Sequence, residues 1–128
     1  MDDECAFLDD PLQVYLAHLK NVPPMDRAEE MACLRHLRAE DEWAEDARTR
    51  LVEVNLQLVV AIADRYCRDQ PCILDLIQEG NCGLLRAAQS PPDGAAERFS
   101  THATPFVERA IAEAISVSGH SPSPPHNR

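Results

Sequence analysis

Residues 73–88 carry the clearest pattern of apolar and polar positions in the chain. At about 100° per residue, the apolar side chains of this stretch fall on one side of a helix and the polar ones on the other. Gly80 lies within the apolar side, where a missing side chain lets another backbone come close. The predicted inner face consists of Ile73, Ile77, Gly80, Leu84, Ala87 and Ala88, and the predicted outer face of Asp75, Gln78, Glu79, Cys82 and Arg86. A solvated face and a docking surface are both consistent with this pattern.

Two short helices joined by a proline turn are predicted upstream. Asp10 followed by Pro11 is a typical helix start, and Asp26 with Glu29 three residues later has the spacing of a capping box. The prolines at 23 and 24 separate the two helices, because a residue that precedes proline is pushed out of the helical region. The predicted buried positions are Leu12, Tyr15, Leu16 and Leu19 in the first helix and Met31, Leu34, Leu37 and Trp43 in the second.

Further helices are predicted after residue 38. The charged run 38–50 is typical of a solvated helix surface, and residues 51–66 are apolar nearly all round, which predicts the central buried helix. The last helix begins near Phe99. Pro105 lies inside it, so the helix either kinks or restarts with Thr104 as its N-cap.

These elements predict an all-α fold. We expect a compact domain of about five helices over residues 10–116, made of a segment at 10–45 and a helical bundle at 46–116. Residues 1–9 are predicted to be a flexible acidic lead-in, and residues 117–128 a disordered tail rich in proline and serine. An apolar fraction of 45% with only 5% aromatic residues requires a core of Leu, Val, Ile and Ala, which favours helices.

The charge narrows the possible partners. The chain has 22 acidic and 12 basic residues, a formal net charge of -10. A protein that depends on phosphate contacts normally carries the opposite sign. The charge therefore argues against strong independent binding to nucleic acid or to an anionic membrane.

No residue pattern indicates catalysis, a cofactor or a metal. The chain lacks a glycine-rich phosphate loop, a nucleophile elbow and an HExxH motif. Its five cysteines include no CxxC pair, so we expect reduced thiols and no zinc site. Because no catalytic group of residues stands out, the protein is not expected to be an enzyme. The acidic N-terminus and the lack of a long apolar run predict a cytoplasmic protein.

Four ordered blocks resemble bacterial RNA polymerase sigma factors of the housekeeping type. The blocks are residues 10–16 (DPLQVYL), 50–66 (RLVEVNLQLVVAIADRY), 74–87 (LDLIQEGNCGLLRA) and 98–104 (RFSTHAT). The resemblance extends over residues 10–116 and implies the segment preceding the conserved core domain together with that domain. The family's two later promoter-reading domains are expected to be missing.

The resemblance implies that the 74–87 helix docks on a coiled coil of the polymerase's largest subunit. Acidic and amide side chains suit the arginine-rich partner surface of the family. Most of the matching positions fall on the predicted outer face or at its border. They are Asp75, Leu76, Gln78, Glu79, Asn81 and Leu85.

The resemblance also implies a helix that contacts unpaired promoter bases, with aromatic side chains as the stacking surfaces. The corresponding positions here are Arg98, Phe99, Thr101, His102, Phe106 and Arg109. Several positions depart from the family pattern, among them Pro105 in place of a tryptophan, and Glu108 and Glu113 in place of basic residues. Each added carboxylate repels a nucleic-acid strand.

Two functions follow from the intact docking block and the altered promoter block. One is a sigma-like initiation factor that binds core polymerase and supports some promoter opening. The other is a polymerase-binding decoy, competitor or adaptor that has lost promoter recognition. A stable helical domain with no partner is a third possibility.

Overall fold

The computed structural model describes residues 10–67, 72–92 and 97–117. These residues form helices and no strand, which confirms the all-α prediction. The predicted lead-in at 1–9, residues 69–71, the turn residues 93–94 and the tail from residue 118 lie outside the described residues. The helices are α1 (Pro11–Lys20), α2 (Arg27–Ala39), α3 (Ala44–Glu53), α4 (Leu56–Asp64), α5 (Cys72–Gln89) and α6 (Phe99–Val117).

The two predicted helix starts have the expected capping geometry. The Asp10 carboxylate accepts hydrogen bonds from the backbone N–H groups of Leu12 and Gln13, at 3.1 and 3.4 Å. Asp26 accepts from the Glu29 N–H at 2.8 Å, and the Glu29 carboxylate accepts from the Asp26 N–H at 3.1 Å. These bonds satisfy N–H groups that have no partner inside the helix. Both starts are confirmed.

The core is built around α5 and α6. The predicted inner face of α5 is buried at every position, and α3 and α4 cover it from other sides. Burial of this aliphatic surface is the main force that stabilises the fold. The side chains that are least exposed include Leu34, Leu51, Val59, Ile77, Leu84, Phe99, Val107 and Ile111.

The predicted central helix over residues 51–66 is divided in two. α3 ends at Glu53 and α4 begins at Leu56, and the Asn55 side-chain amide donates to the Leu51 carbonyl at 2.7 Å. This bond takes up a carbonyl that the helix end leaves without an intrahelical partner.

Two further sequence interpretations are corrected. Trp43 was expected on the buried side of α2 but is 53% exposed, because Glu40 adopts a left-handed conformation (φ 51°) that ends α2 and changes the chain direction. The restart at Thr104 is also wrong, since α6 runs unbroken through Pro105. The Thr104 hydroxyl instead donates to the Ser100 carbonyl at 2.8 Å, so it does not cap a new helix.

The cysteines do not all remain free thiols. Cys67 and Cys72 form a disulfide with their Cα atoms 6.3 Å apart. The end of α4 and the start of α5 bring the two residues within the range that a disulfide spans. The expectation of reduced thiols is wrong for this pair, whereas Cys33 and Cys82 are free. None of the described helices is long and apolar enough to cross a bilayer.

Candidate functional site

The outer face of α5 is a solvent-exposed polar surface. Asp75, Gln78 and Glu79 are exposed, as are Cys82 and Arg86 further along the helix. In the described part of the chain, the side chains of Asp75, Gln78 and Glu79 form no hydrogen bond or ion pair. Between residues 75 and 86 this face extends for about 16 Å at 1.5 Å per residue. It offers carboxylate and amide groups that no internal contact occupies.

Two glycines fix the position of α5 against its neighbours. A Cβ atom built on Gly80 would lie 2.6 Å from Cγ1 of Val59, which supports the packing role predicted for this glycine. A Cβ on Gly83 would lie 2.5 Å from the carbonyl oxygen of Phe106, a backbone atom that cannot rotate away. Gly83 was missed in the sequence, although it is three residues from Gly80 at the edge of the same face. The close approach of α5 and α6 depends on both positions.

Three of the predicted docking residues lie at the borders of the outer face. Leu76 is only 5% exposed and belongs to the core. Asn81 is half-buried, and its Nδ2 donates to the hydroxyl of Tyr15 in α1 at 3.4 Å. Leu85 is 46% exposed, one of the few large apolar side chains at the surface of the described residues. The structure therefore leaves Asp75, Gln78, Glu79 and Leu85 accessible to a partner.

The aromatic side chains of α6 are arranged differently. Phe99 is fully buried, so its ring offers no stacking surface in this structure. His102 and Phe106 are half-buried, with ring centroids 5.1 Å apart. The Nε2 atom of His102 lies 3.2 Å from the carbonyl oxygen of Ala87, and because a carbonyl only accepts, Nε2 carries the hydrogen. His102 thus connects α6 to α5.

Ion pairs surround α6. Arg98 Nε lies 3.1 Å from a carboxylate oxygen of Glu30 in α2, and Arg65 at the end of α4 lies 3.1 Å from Glu108. Arg109 faces Glu113 one turn further along α6, at 3.8 Å between two exposed side chains. An exposed pair of that kind contributes little to stability. These carboxylates nevertheless reduce the positive charge that α6 can offer to the phosphates of a nucleic acid.

A cavity of about 270 Å³ opens beside the start of α6. It lies between the α1–α2 connection, the α3–α4 turn and α6, and Met25, Glu30, Asn55, Arg98 and Ser100 are among its lining residues. Its volume is near the lower end of the range for small-molecule pockets, about 300 to 1,000 Å³.

Thr101, the remaining predicted nucleic-acid residue, is exposed on α6.

The sequence interpretation missed the partners of these groups. Tyr15 and Glu30 contact the candidate residues Asn81 and Arg98, which are 66 and 68 positions away in the chain. Helical periodicity reports only neighbours within one element, so it contains no signal for such pairs. For Glu30, the one signal in the sequence was a charged residue among positions of α2 that are predicted to be buried.

The described residues form a helical domain whose fifth helix has an exposed polar face. Sequence comparison identifies its family: residues 51–118 match the Sigma-70 region 2 family, and the chain belongs to it. The chain is also similar to proteins named RNA polymerase sigma factor SigA, with 39% identity in Bacillus sp, 40% in Clostridium acetobutylicum and 41% in Lactococcus lactis subsp. cremoris. Each match extends over 108 residues and covers 84% of this chain but only 28 to 30% of the relative.

Proposed function

We propose that this chain is a sigma-factor-like protein that binds core RNA polymerase through the outer face of α5 and acts in transcription initiation. The observation that carries the proposal is the exposed face of Asp75, Gln78 and Glu79, whose side chains have no partner among the described residues. Family membership and the similarity to SigA proteins support the same role. The proposed role is non-catalytic.

The chemistry of the face fits a basic helical partner, for which we propose the coiled coil of the polymerase's largest subunit. Carboxylate and amide oxygens accept the charge-assisted hydrogen bonds that the guanidinium groups of an arginine-rich surface donate. Leu85 adds an exposed apolar contact at the border of the face. Because Leu76 is buried, its proposed role is to hold the helix rather than to contact the partner.

A pull-down with core enzyme tests this proposal. The double variant Gln78→Ala, Glu79→Lys removes an amide and reverses a charge on the outer face, and we expect it to lose most of the bound polymerase. The control Thr49→Ala, Glu45→Lys removes a hydroxyl and reverses a charge on the exposed side of α3. Equal recovery of polymerase by both variants and the wild type would contradict the proposal.

The alternative function is a polymerase-binding decoy, competitor or adaptor. One observation favours it: internal contacts take up part of the promoter-facing group, with Phe99 in the core, His102 Nε2 bonded to Ala87 and Arg98 Nε paired with Glu30. Promoter DNA would then bind weakly and only within the polymerase complex.

A run-off transcription assay separates the two functions. If the chain supplies initiation activity, core enzyme with the chain yields transcripts from a promoter template. If the chain is a competitor, it yields none by itself and reduces the output of a complete sigma factor in proportion to its concentration. Transcripts without inhibition would exclude the competitor.

A further inference from the structure

Glu30 is the one charged residue among the buried positions of the described chain. It is 6% exposed and lies in the first turn of α2. A buried carboxylate is costly unless hydrogen bonds and opposite charges surround it. Its position therefore requires an explanation beyond the solvation of α2.

The carboxylate of Glu30 connects α2 to the start of α6. One oxygen accepts from Arg98 Nε at 3.1 Å. The other accepts from the backbone N–H of Phe99 in a short hydrogen bond and from Arg27 Nη1 at 3.2 Å. The partners in α6 are 68 and 69 positions away in the chain.

Glu30 supplies the cap that α6 lacks. The Arg98 carbonyl accepts from the His102 N–H at 3.1 Å, so Arg98 occupies the N-cap position of α6. Arginine has no side-chain acceptor for the free N–H groups of the first turn. The Glu30 carboxylate, from another helix, takes that place, and its negative charge also suits a helix N-terminus.

The same contact fixes the guanidinium of Arg98. Glu30 binds Nε, and the Arg98 side chain stays 55% exposed beside the cavity and close in sequence to His102. A guanidinium has five N–H donors, so the nitrogens at its tip remain able to bind an anion.

We infer that Glu30 is a positioning residue, which holds Arg98 so that its guanidinium contacts a phosphate of a single strand lying along α6. This inference rests on the proposed role in transcription initiation, in which α6 contacts unpaired promoter DNA. It assigns a nucleic-acid role to a buried carboxylate, whose charge alone would weaken binding.

The test is whether removal of the Glu30 carboxylate strengthens or weakens binding of single-stranded DNA. Anisotropy of a labelled single-stranded oligonucleotide is measured with the full chain over a series of salt concentrations, beginning at low salt. Glu30→Ala and the control Glu45→Ala each remove one negative charge, and the Glu45 side chain is 81% exposed on α3. Electrostatics alone predicts tighter binding for both variants.

Positioning predicts the opposite for Glu30→Ala. Loss of one phosphate contact lowers the salt slope by about 0.7, which is about fivefold weaker binding near 0.1 M salt. Arg98→Ala should show the same loss, and the double variant no further loss. Glu30→Gln, which keeps an acceptor for the Phe99 N–H, should lie between Glu30→Ala and the wild type and serves where Glu30→Ala does not fold.

Three results would overturn the inference. They are a Glu30→Ala variant that binds as tightly as Glu45→Ala, an unchanged salt slope in Arg98→Ala, and no salt-dependent binding by the wild type. A purely structural role would lower the melting temperature of Glu30→Ala and leave the slope of the folded protein unchanged. The polymerase pull-down depends on α5 alone, so failure of either experiment leaves the other informative.

Discussion

α5 and α6 pack against each other along much of their length, yet their outer sides differ. On the outer face of α5, the side chains of Asp75, Gln78 and Glu79 point to solvent without partners among the described residues, and two glycines on the inner side allow close packing. On α6, Phe99 is in the core and His102 bonds to α5, while Arg98 pairs with Glu30 of α2. One helix presents its polar groups, whereas the other uses many of them within the domain.

The difference matters because binding replaces existing contacts. A free carboxylate or amide loses only water when a partner arrives, whereas a paired group must also give up an internal bond. The α5 face is therefore prepared for a partner in its present conformation. A strand that binds α6 has to use the groups that remain at its surface, chiefly His102, Phe106 and the tip of Arg98.

The largest expected effect is that of Phe99→Ala. Because the ring is fully buried, its removal should lower the free energy of unfolding by about 3–5 kcal/mol. Urea unfolding measures this loss, with Phe106→Ala as the half-buried comparison on the same helix. A smaller loss for Phe99→Ala than for Phe106→Ala would contradict the full burial of the Phe99 ring.

Gly83→Ala should destabilise the α5–α6 contact by about 1–3 kcal/mol, because the new Cβ meets the Phe106 carbonyl. Gly80→Ala should also destabilise the core, because its new Cβ would lie 2.6 Å from Cγ1 of the fully buried Val59. Cys82→Ala, on the exposed side of the same helix, should change stability by less than about 0.5 kcal/mol. If all three variants unfold at the same urea concentration, the two helices are not closely packed at Gly83.

Asp26→Ala should cost about 1 kcal/mol by removing the cap of α2. Because α2 carries Glu30, we also expect faster hydrogen exchange at the Phe99 amide. Asp10→Ala removes a comparable cap from α1. Because Glu30 is in α2 and not in α1, this variant should leave the Phe99 amide protected. If the Phe99 amide exchanges at the same rate in both variants, its protection does not depend on the contact between α2 and α6.

The smallest effect is expected at the α2–α3 turn, away from both faces. The hydrogen bond with His36, 2.7 Å between Nδ1 and the Asp41 carboxylate, holds the pKa of Asp41 below its ordinary value. The stability that Asp41 contributes is therefore present above its unfolded-state pKa and is lost as the pH falls through the lowered folded pKa. NMR titration should show this pKa rising in His36→Ala, while α5 and α6 signals stay unchanged. If the pKa of Asp41 is the same in His36→Ala and in the wild type, the hydrogen bond with His36 does not lower it.

Local features of the fold were predictable, and long-range ones were not. The caps at Asp10 and Asp26 depend on residues within one turn, and the faces of α5 depend on periodicity. The break at Asn55 had no signal, because residues 51–66 are apolar on both sides of it. At the candidate site, the outer face of α5 followed from the pattern of the helix. The burial of Phe99 and the role of Glu30 depend on packing between separate helices.

The most direct measurement is thiol labelling of the chain with and without core polymerase, read by mass spectrometry at each cysteine. Cys82 is exposed on the outer face of α5, whereas Cys33 in α2 is half-buried and burial raises its pKa, so less of it is the reactive thiolate. Free chain should react faster at Cys82 than at Cys33. Saturating polymerase should slow labelling at Cys82 severalfold and leave Cys33 unchanged. Undiminished labelling of Cys82 at saturating polymerase would contradict docking through α5.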